Sequence, residues 1–207
     1  MTDWQAWHGQ YDEQDSFLSR RLRVVQRRLD ELVSAADRVR RILSLCSGDG
    51  RDIIPVLAQK PIERRPEVVL VELDPVLAAA AERRALDAGV AATVVVGDAG
   101  LANTWQSVVP VDLLMLCGIF GNIMEADIRN TIVTARGVVS RGGSVIWTRG
   151  YFVDQDLRRQ IRQWFADAGF METSFDSEPT GYAVGVNLLA SDACAAPIPD
   201  RLFSFVR

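Results

Sequence analysis

The sequence predicts an α/β fold: a mostly parallel, seven-stranded sheet with helices on both faces, finished by an antiparallel hairpin. Three observations predict it. Five strand-sized apolar runs alternate with four helix-length stretches, a pattern that requires right-handed crossovers and parallel pairing. The first of these strands passes into its helix through Gly48-Asp-Gly50, a turn that lets backbone approach a ligand. After Gly169, two more strand-like runs flank the short turn Glu178-Pro-Thr-Gly181, which leaves no room for a crossover helix.

The elements follow in order. Within an N-terminal segment, residues 1–36, Leu18, Leu22, Val25, Leu29 and Leu32 recur at steps of four and three, one apolar stripe on a helix. Asp15 or Ser16 is its expected N-cap. Strands are expected at 42–46, 68–73, 93–96, 111–117 and 144–148, and helices at 51–59, 76–88, 125–140 and 156–168. Gly89 and Gly169 stand where helix C-terminal caps are expected. Residues 170–177 and 182–190 supply the two strands of the hairpin.

At 207 residues, the chain suits one domain with one sizeable core. No apolar run approaches the roughly 20 residues of a membrane helix. The start, Met-Thr-Asp-Trp, lacks the basic and apolar regions of a signal peptide, so a cytoplasmic protein is expected. Cys46, Cys117 and Cys194 have no metal-ligand spacing and read as reduced thiols; with His8 the lone histidine, no metal site is expected. A net charge of −4 gives no general attraction to nucleic acid or anionic membrane. Locally, eight arginines between Arg20 and Arg41 face only Asp30, Glu31 and Asp37. They read as a solvated helix face or a site for an acidic partner.

Candidate site residues gather at the carboxyl ends of the strands, where open α/β sheets bind ligands. Gly48 and Gly50 form the turn after the first strand. Glu72 ends the second, where a carboxylate can accept both hydroxyls of a ribose. Asp98 follows the third, in Gly97-Asp-Ala99, and can accept a hydrogen bond from an adenine amino group. The fourth ends in Cys117-Gly-Ile-Phe-Gly-Asn122, again small and glycine-containing.

Together these motifs resemble the class I S-adenosylmethionine-dependent methyltransferases over residues 41 to about 190. Gly48 and Gly50 match two glycines of the family's first motif, while Ser44 stands in place of its acid and Cys46 in place of its first glycine. Val71-Glu-Leu-Asp-Pro75 matches the second motif and Gly97-Asp-Ala99 the third. The resemblance implies a Rossmann-like methyltransferase fold with S-adenosylmethionine as cofactor. Glu72 would hold the ribose, Leu73 line the adenine, Asp98 contact its amino group and Gly48 lie under the methionine. Cys46, Ser47, Gly50, Ala99, Cys117 and Gly118 complete the expected cofactor set. The wording around these motifs is most similar to small bacterial methyltransferases of mostly unassigned substrate.

The cofactor's sulfonium makes its methyl group electrophilic, so the protein chiefly aligns a nucleophile for in-line displacement. The family's Asn/Asp-Pro-Pro-aromatic motif for nucleic-acid amino groups is replaced here by Gly118-Ile-Phe-Gly-Asn122. A small molecule methylated on oxygen or nitrogen is therefore the expected acceptor, with nucleic acid and membrane not expected as partners. Asn122 is the candidate for orienting it, or else caps the next helix. The N-terminal segment is expected to be a lid. In it Trp4 and Trp7 shape a substrate pocket, Tyr11 bonds the cofactor carboxylate and His8 acts as a general base, or these residues merely pin the terminus. Phe120, Trp147, Arg149 and Tyr151 are the remaining candidate substrate contacts, with Arg149 suited to a carboxylate and Trp147 reading equally well as a core residue. Two rivals compete: a nicotinamide-dependent oxidoreductase, whose third fingerprint glycine is here Ile53, and a non-catalytic binding module.

Overall fold

A computed structural model describes residues 11, 16–35, 39–153, 155–190 and 196–206. Trp4, Trp7, His8 and Cys194 lie outside them. The elements are α1 (Phe17–Ser34), β1 (Arg41–Leu45), α2 (Ile54–Ala58), β2 (Glu67–Glu72), α3 (Pro75–Asp87), β3 (Ala92–Val96) and β4 (Val111–Leu116). They continue with α4 (Glu125–Val138), β5 (Val139–Gly150), α5 (Arg158–Asp167), β6 (Phe170–Ser177) and β7 (Tyr182–Leu189). The seven strands form one sheet in the order β3-β2-β1-β4-β5-β7-β6. Strands β1 to β5 pair in parallel, while β7 runs antiparallel to both β5 and β6 and lies between them. No helix among the described residues is long and apolar enough to cross a membrane.

Burial on both faces explains why the central strands read as continuous apolar runs. Alternate residues serve opposite layers. Ile42, Leu70, Leu113, Met115 and Ile146 pack with Val25, Leu29, Ile54 and Leu57 from α1 and α2. Leu43, Val71, Leu114, Leu116 and Trp147 pack with Ile128, Ile132 and Phe165 from α4 and α5. The order reverses between β1, which continues to β2 and β3, and β4, which continues to β5. The switch point therefore lies where β1 and β4 end side by side.

Most boundaries fall within one to three residues of expectation, as where the helix expected at 51–59 spans Ile54–Ala58; the largest difference is at β5. The expected helix 125–140 stops at Val138, and β5 begins at Val139, well before 144, because Val139 already pairs with Val111. A bulge between Val111 and Leu113, beside Gly142 at φ +77°, absorbs the irregular start. Of the two expected caps for α1, Ser16 does the work: its Oγ accepts from Ser19 N at 3.0 Å.

The arginines of α1 are neither simply solvated nor left for an outside partner. Arg20 makes a two-pronged bond to Glu178 at 2.9 and 3.0 Å. Arg28 does the same to Asp176 at 2.8 and 2.9 Å, and Arg27 joins it at 2.8 Å. The stripe fastens α1 across the β6–β7 hairpin, and the Arg20 guanidinium holds the Glu178 carboxyl below its ordinary range.

Candidate functional site

The loop after β1 doubles back because three of its residues adopt left-handed backbone: Cys46 at φ +55°, Gly48 at +57° and Gly50 at +70°. Gly50 also meets a packing constraint. A Cβ there would stand 2.6 Å from Ile54 Cδ1 and 3.2 Å from Leu70 Cδ1. Gly50→Ala should cost about 2–3 kcal/mol from strain and overlap, read as a lower urea midpoint. Ligand binding by the folded fraction should be unchanged; a selective loss of binding with no loss of stability would overturn the packing role.

Ser44 offers the loop no carboxylate, and other residues support it. Glu72 Oε2 accepts from Gly48 N at 2.8 Å and Oε1 from Asp74 N at 2.9 Å, so one buried carboxylate clamps the loops after β1 and β2. Burial pushes the Glu72 carboxyl up, against these backbone donors. Asp49, also buried, takes a two-pronged bond from Arg51, and Arg84 of α3 reaches both its carboxylate and its backbone carbonyl. Burial alone would raise the Asp49 carboxyl, but the two guanidiniums outweigh it and hold it low.

Two buried polar atoms of the same loop have no hydrogen-bond partner: Ser47 Oγ and Asp52 Oδ1. A buried polar atom of this kind calls for an explanation, of which a bound ligand is one. Burial pushes the Asp52 carboxyl up to about 6; its own backbone N–H, Arg21 and Arg51 only partly oppose burial and the neighbouring Asp49 charge. Tyr11 packs over this corner, its hydroxyl accepting from Arg21 Nη2 at 2.5 Å and its ring 4.8 Å from the Arg51 guanidinium. Burial raises the Tyr11 phenol, with Arg21 opposing. Cys117 and Cys46, at the ends of β4 and β1, are both free thiols pushed up by burial. Asp52 and Arg21 were not singled out from sequence. A signal for Asp52 existed in Gly-Asp-Gly-Arg-Asp, but spacing could not tell the acid clasped by two arginines from the one with an unpartnered Oδ1.

The second half of the edge is apolar and open. Leu73 is 63% exposed and Val96 58%; Val96 ends β3 paired with Glu72 at the end of β2, and Leu73 follows Glu72. Beside them Asp98 Oδ1 accepts from Gly100 N at 2.8 Å, and Oδ2 accepts from Arg201 at 3.1 Å. Ala99 is buried, its carbonyl accepting from Trp105 Nε1. Past β4, Gly118 N donates to Thr148 Oγ1 at 2.8 Å, and Asn122 Nδ2 donates to Gly118 O at 2.7 Å. A Cβ on Gly118 would meet nothing within 4 Å. The N-cap of α4 is Met124, so Asn122 braces its own loop instead of capping that helix.

Three expected substrate contacts need correction. Phe120 and Trp147 have no exposed surface: they pack with Phe165 and Phe175, and Trp147 Nε1 donates to Asn187 Oδ1 at 2.8 Å. Arg149 is 4% exposed, and its guanidinium donates to the carbonyls of Phe120 and Gln155, so it buttresses the loop after β4. Tyr151 remains half-buried at the rim, under the guanidinium of Arg158 at 5.0 Å.

A separate cleft of about 1040 Å³ lies at the opposite edge, lined in part by Arg40, Arg41, Lys60 and Arg65. Much of its charge is already engaged: Lys60 with Asp30, Arg41 with Glu67, and Arg65 with three backbone carbonyls.

No protein-family model matches the chain, and no curated protein does. Solved structures match throughout the fold. An O-methyltransferase family protein from Burkholderia thailandensis is 17% identical with a TM-score of 0.61, over 83% of this chain and 57% of that one. Fibrillarin from Aeropyrum pernix, solved with S-adenosyl-L-methionine, is 16% identical with a TM-score of 0.55, over 72% and 66%. An RNA methyltransferase from Salinibacter ruber, solved with S-adenosyl-L-homocysteine, is 18% identical with a TM-score of 0.52, over 86% and 95%. The present chain thus spans little more than half of the Burkholderia protein. Its fold is the Rossmann-like fold of the S-adenosylmethionine-dependent methyltransferases.

Proposed function

We propose that the chain is an S-adenosylmethionine-dependent methyltransferase whose acceptor is an oxygen or nitrogen of a small molecule. The observation that carries this reading is the loop at the switch point. It has two buried, unpartnered polar atoms, Ser47 Oγ and Asp52 Oδ1, beside the exposed apolar edge of Leu73 and Val96. A ligand with a polar end and a flat apolar end fits both halves. The residues present suit the cofactor: Glu72 retains lone pairs for ribose hydroxyls, and Leu73 and Val96 offer an apolar bed for adenine. Asp98 is an acceptor for its amino group, and Ser47 and Asp52 await the amino-acid end, under Tyr11 and Arg21. When bound, S-adenosylmethionine supplies an electrophilic methyl group.

The chain's own contribution is placement. Asn122 and Gly118 border the acceptor side, and α1 with Tyr11 covers the loop and excludes water. A small acceptor is favoured because Arg20, Arg27 and Arg28, the cations best grouped to meet phosphates, are bound to Glu178 and Asp176. Against a nicotinamide cofactor stands Ile53, a fully buried side chain at the start of a five-residue helix, where the dinucleotide fingerprint places its third glycine for close packing of helix on strand.

Isothermal titration calorimetry tests this reading. S-adenosylhomocysteine should bind with a Kd of about 1–10 µM, near −7 to −8 kcal/mol, and NAD should give no heat. Binding of NAD but not of S-adenosylhomocysteine would overturn it.

A further inference from the structure

Residues 196–206, beyond the sheet, run back over its carboxyl edge and join the two loops that border the proposed site. At one end Ala102 N donates to Asp200 O at 2.9 Å, Leu202 N donates to Gly100 O at 2.8 Å, and Leu101 bridges Arg201. At the other, Val206 N donates to Asn122 O at 2.9 Å and Phe205 bridges Ile123. Leu202 and Phe203 are each 2% exposed, so the segment is anchored in the core. It also lies tight on Gly100, where a Cβ would stand 2.3 Å from Phe203 O.

This anchoring delivers one cation to the site. Arg201 Nη1 sits 3.1 Å from Asp98 Oδ2 and 3.3 Å from both Phe203 O and Ser204 Oγ, while Asp98 Oδ1 is fixed by Gly100 N. Each carboxylate oxygen therefore has one donor from the protein, and the plane of the group is set from both sides. An ionised carboxylate only accepts hydrogen bonds. Held this way, it welcomes a purine amino group and repels a purine carbonyl.

We propose that Arg201 is a specificity-determining positioning residue, which orients Asp98 so that the site takes a 6-aminopurine and rejects a 6-oxopurine. The proposal rests on the reading that Asp98 faces the adenine of the cofactor. Its physical basis is that a buried or oriented acceptor left facing another acceptor costs far more than a merely missing contact.

The test compares Kd values for S-adenosylhomocysteine and its 6-oxo analogue, S-inosylhomocysteine, in the parent, Arg201→Ala, Arg201→Lys and Asp98→Asn proteins. The parent should prefer the amino form by about 100-fold or more. Arg201→Ala should lower that ratio about tenfold, mainly by weakening S-adenosylhomocysteine binding, and Arg201→Lys should restore most of it, since an ammonium can serve the same acceptors. An exposed ion pair adds little to folding, so melting curves of the variants should match the parent's. A merely structural role would weaken both ligands alike and leave the ratio unchanged, which overturns the proposal. Tighter S-adenosylhomocysteine binding by Arg201→Ala also overturns it, because Arg201 would then compete with adenine for Asp98. An unchanged ratio in Asp98→Asn removes the placement of adenine, and with it the proposal. A parent that binds neither ligand removes the functional reading itself.

Discussion

Asp52→Asn should make the ligand-free protein more stable by about 2–3 kcal/mol at pH 8 while weakening S-adenosylhomocysteine binding at least tenfold. The sign follows from the folded-state carboxyl titrating near 6 against an ordinary 3.8. Below pH 4 both folded and unfolded chains hold the proton, and burial carries no charge penalty. Between pH 4 and 6 the unfolded chain ionises first, so this group's contribution falls as pH rises. Above pH 6 the full penalty is present, roughly 1.4 kcal/mol for each unit of displacement. Asparagine keeps the shape and sheds the charge, which should raise Tm by roughly 5–10 °C for a chain of this size. Urea melts of parent and variant at pH 4 and pH 8 read the effect. Equal gains at both pH values, or no gain at pH 8, would show that the buried charge is not the source. The accompanying loss of affinity reflects a common trade: a site keeps an unsatisfied acceptor because a ligand will satisfy it.

Glu72→Ala should abolish detectable S-adenosylhomocysteine binding at micromolar protein, a loss of 100-fold or more. Two hydroxyl bonds to a charged acceptor at about 1.5 kcal/mol each account for that factor. Stability should fall by less. Gly48 N and Asp74 N lose their acceptor, but removing a carboxylate that burial already disfavours offsets part of the cost, leaving about 2 kcal/mol. Thermal shift with ligand separates the two effects. The parent should be stabilised by about 2.7 kcal/mol at a ligand concentration 100 times Kd, and the variant not at all. A parent that shows no ligand-induced shift, with the variant behaving as the parent does, would favour the rival reading of a non-catalytic module whose loop merely resembles a cofactor site; a variant that binds as well as the parent would remove Glu72 from the cofactor contacts.

Much of this site could be read from the chain because it sits where strands end. Glu72, Asp98 and Gly118 follow apolar runs whose length and alternation with helices are local properties, so their place at one sheet edge needed no contact information. The positions of Phe120 and Trp147 could not be read the same way. An aromatic residue near a strand end looks alike whether it faces a ligand or the core, and only packing against Phe165 and Phe175 decides. At Gly50, likewise, only the packed structure shows that Ile54 and Leu70 fill the space a side chain would need.

The charged residues show the limit most clearly. The arginines of α1 are visible in the sequence, but their partners Asp176 and Glu178 lie nearly 150 residues or more away, on a hairpin whose approach to α1 no local pattern specifies. Arg201 meets Asp98 across 103 residues in the same way. By itself the sequence determined the order of elements, the parallel sheet and the acids at its edge, since periodicity and glycine placement are written locally; the strand order that places the switch point between β1 and β4 came from the folded sheet. Only the tertiary structure decided which acids are already paired, which one keeps a buried oxygen without a partner, and what supports the loop that follows Ser44. The reason is that pairing and burial depend on which distant segments the packed core brings together.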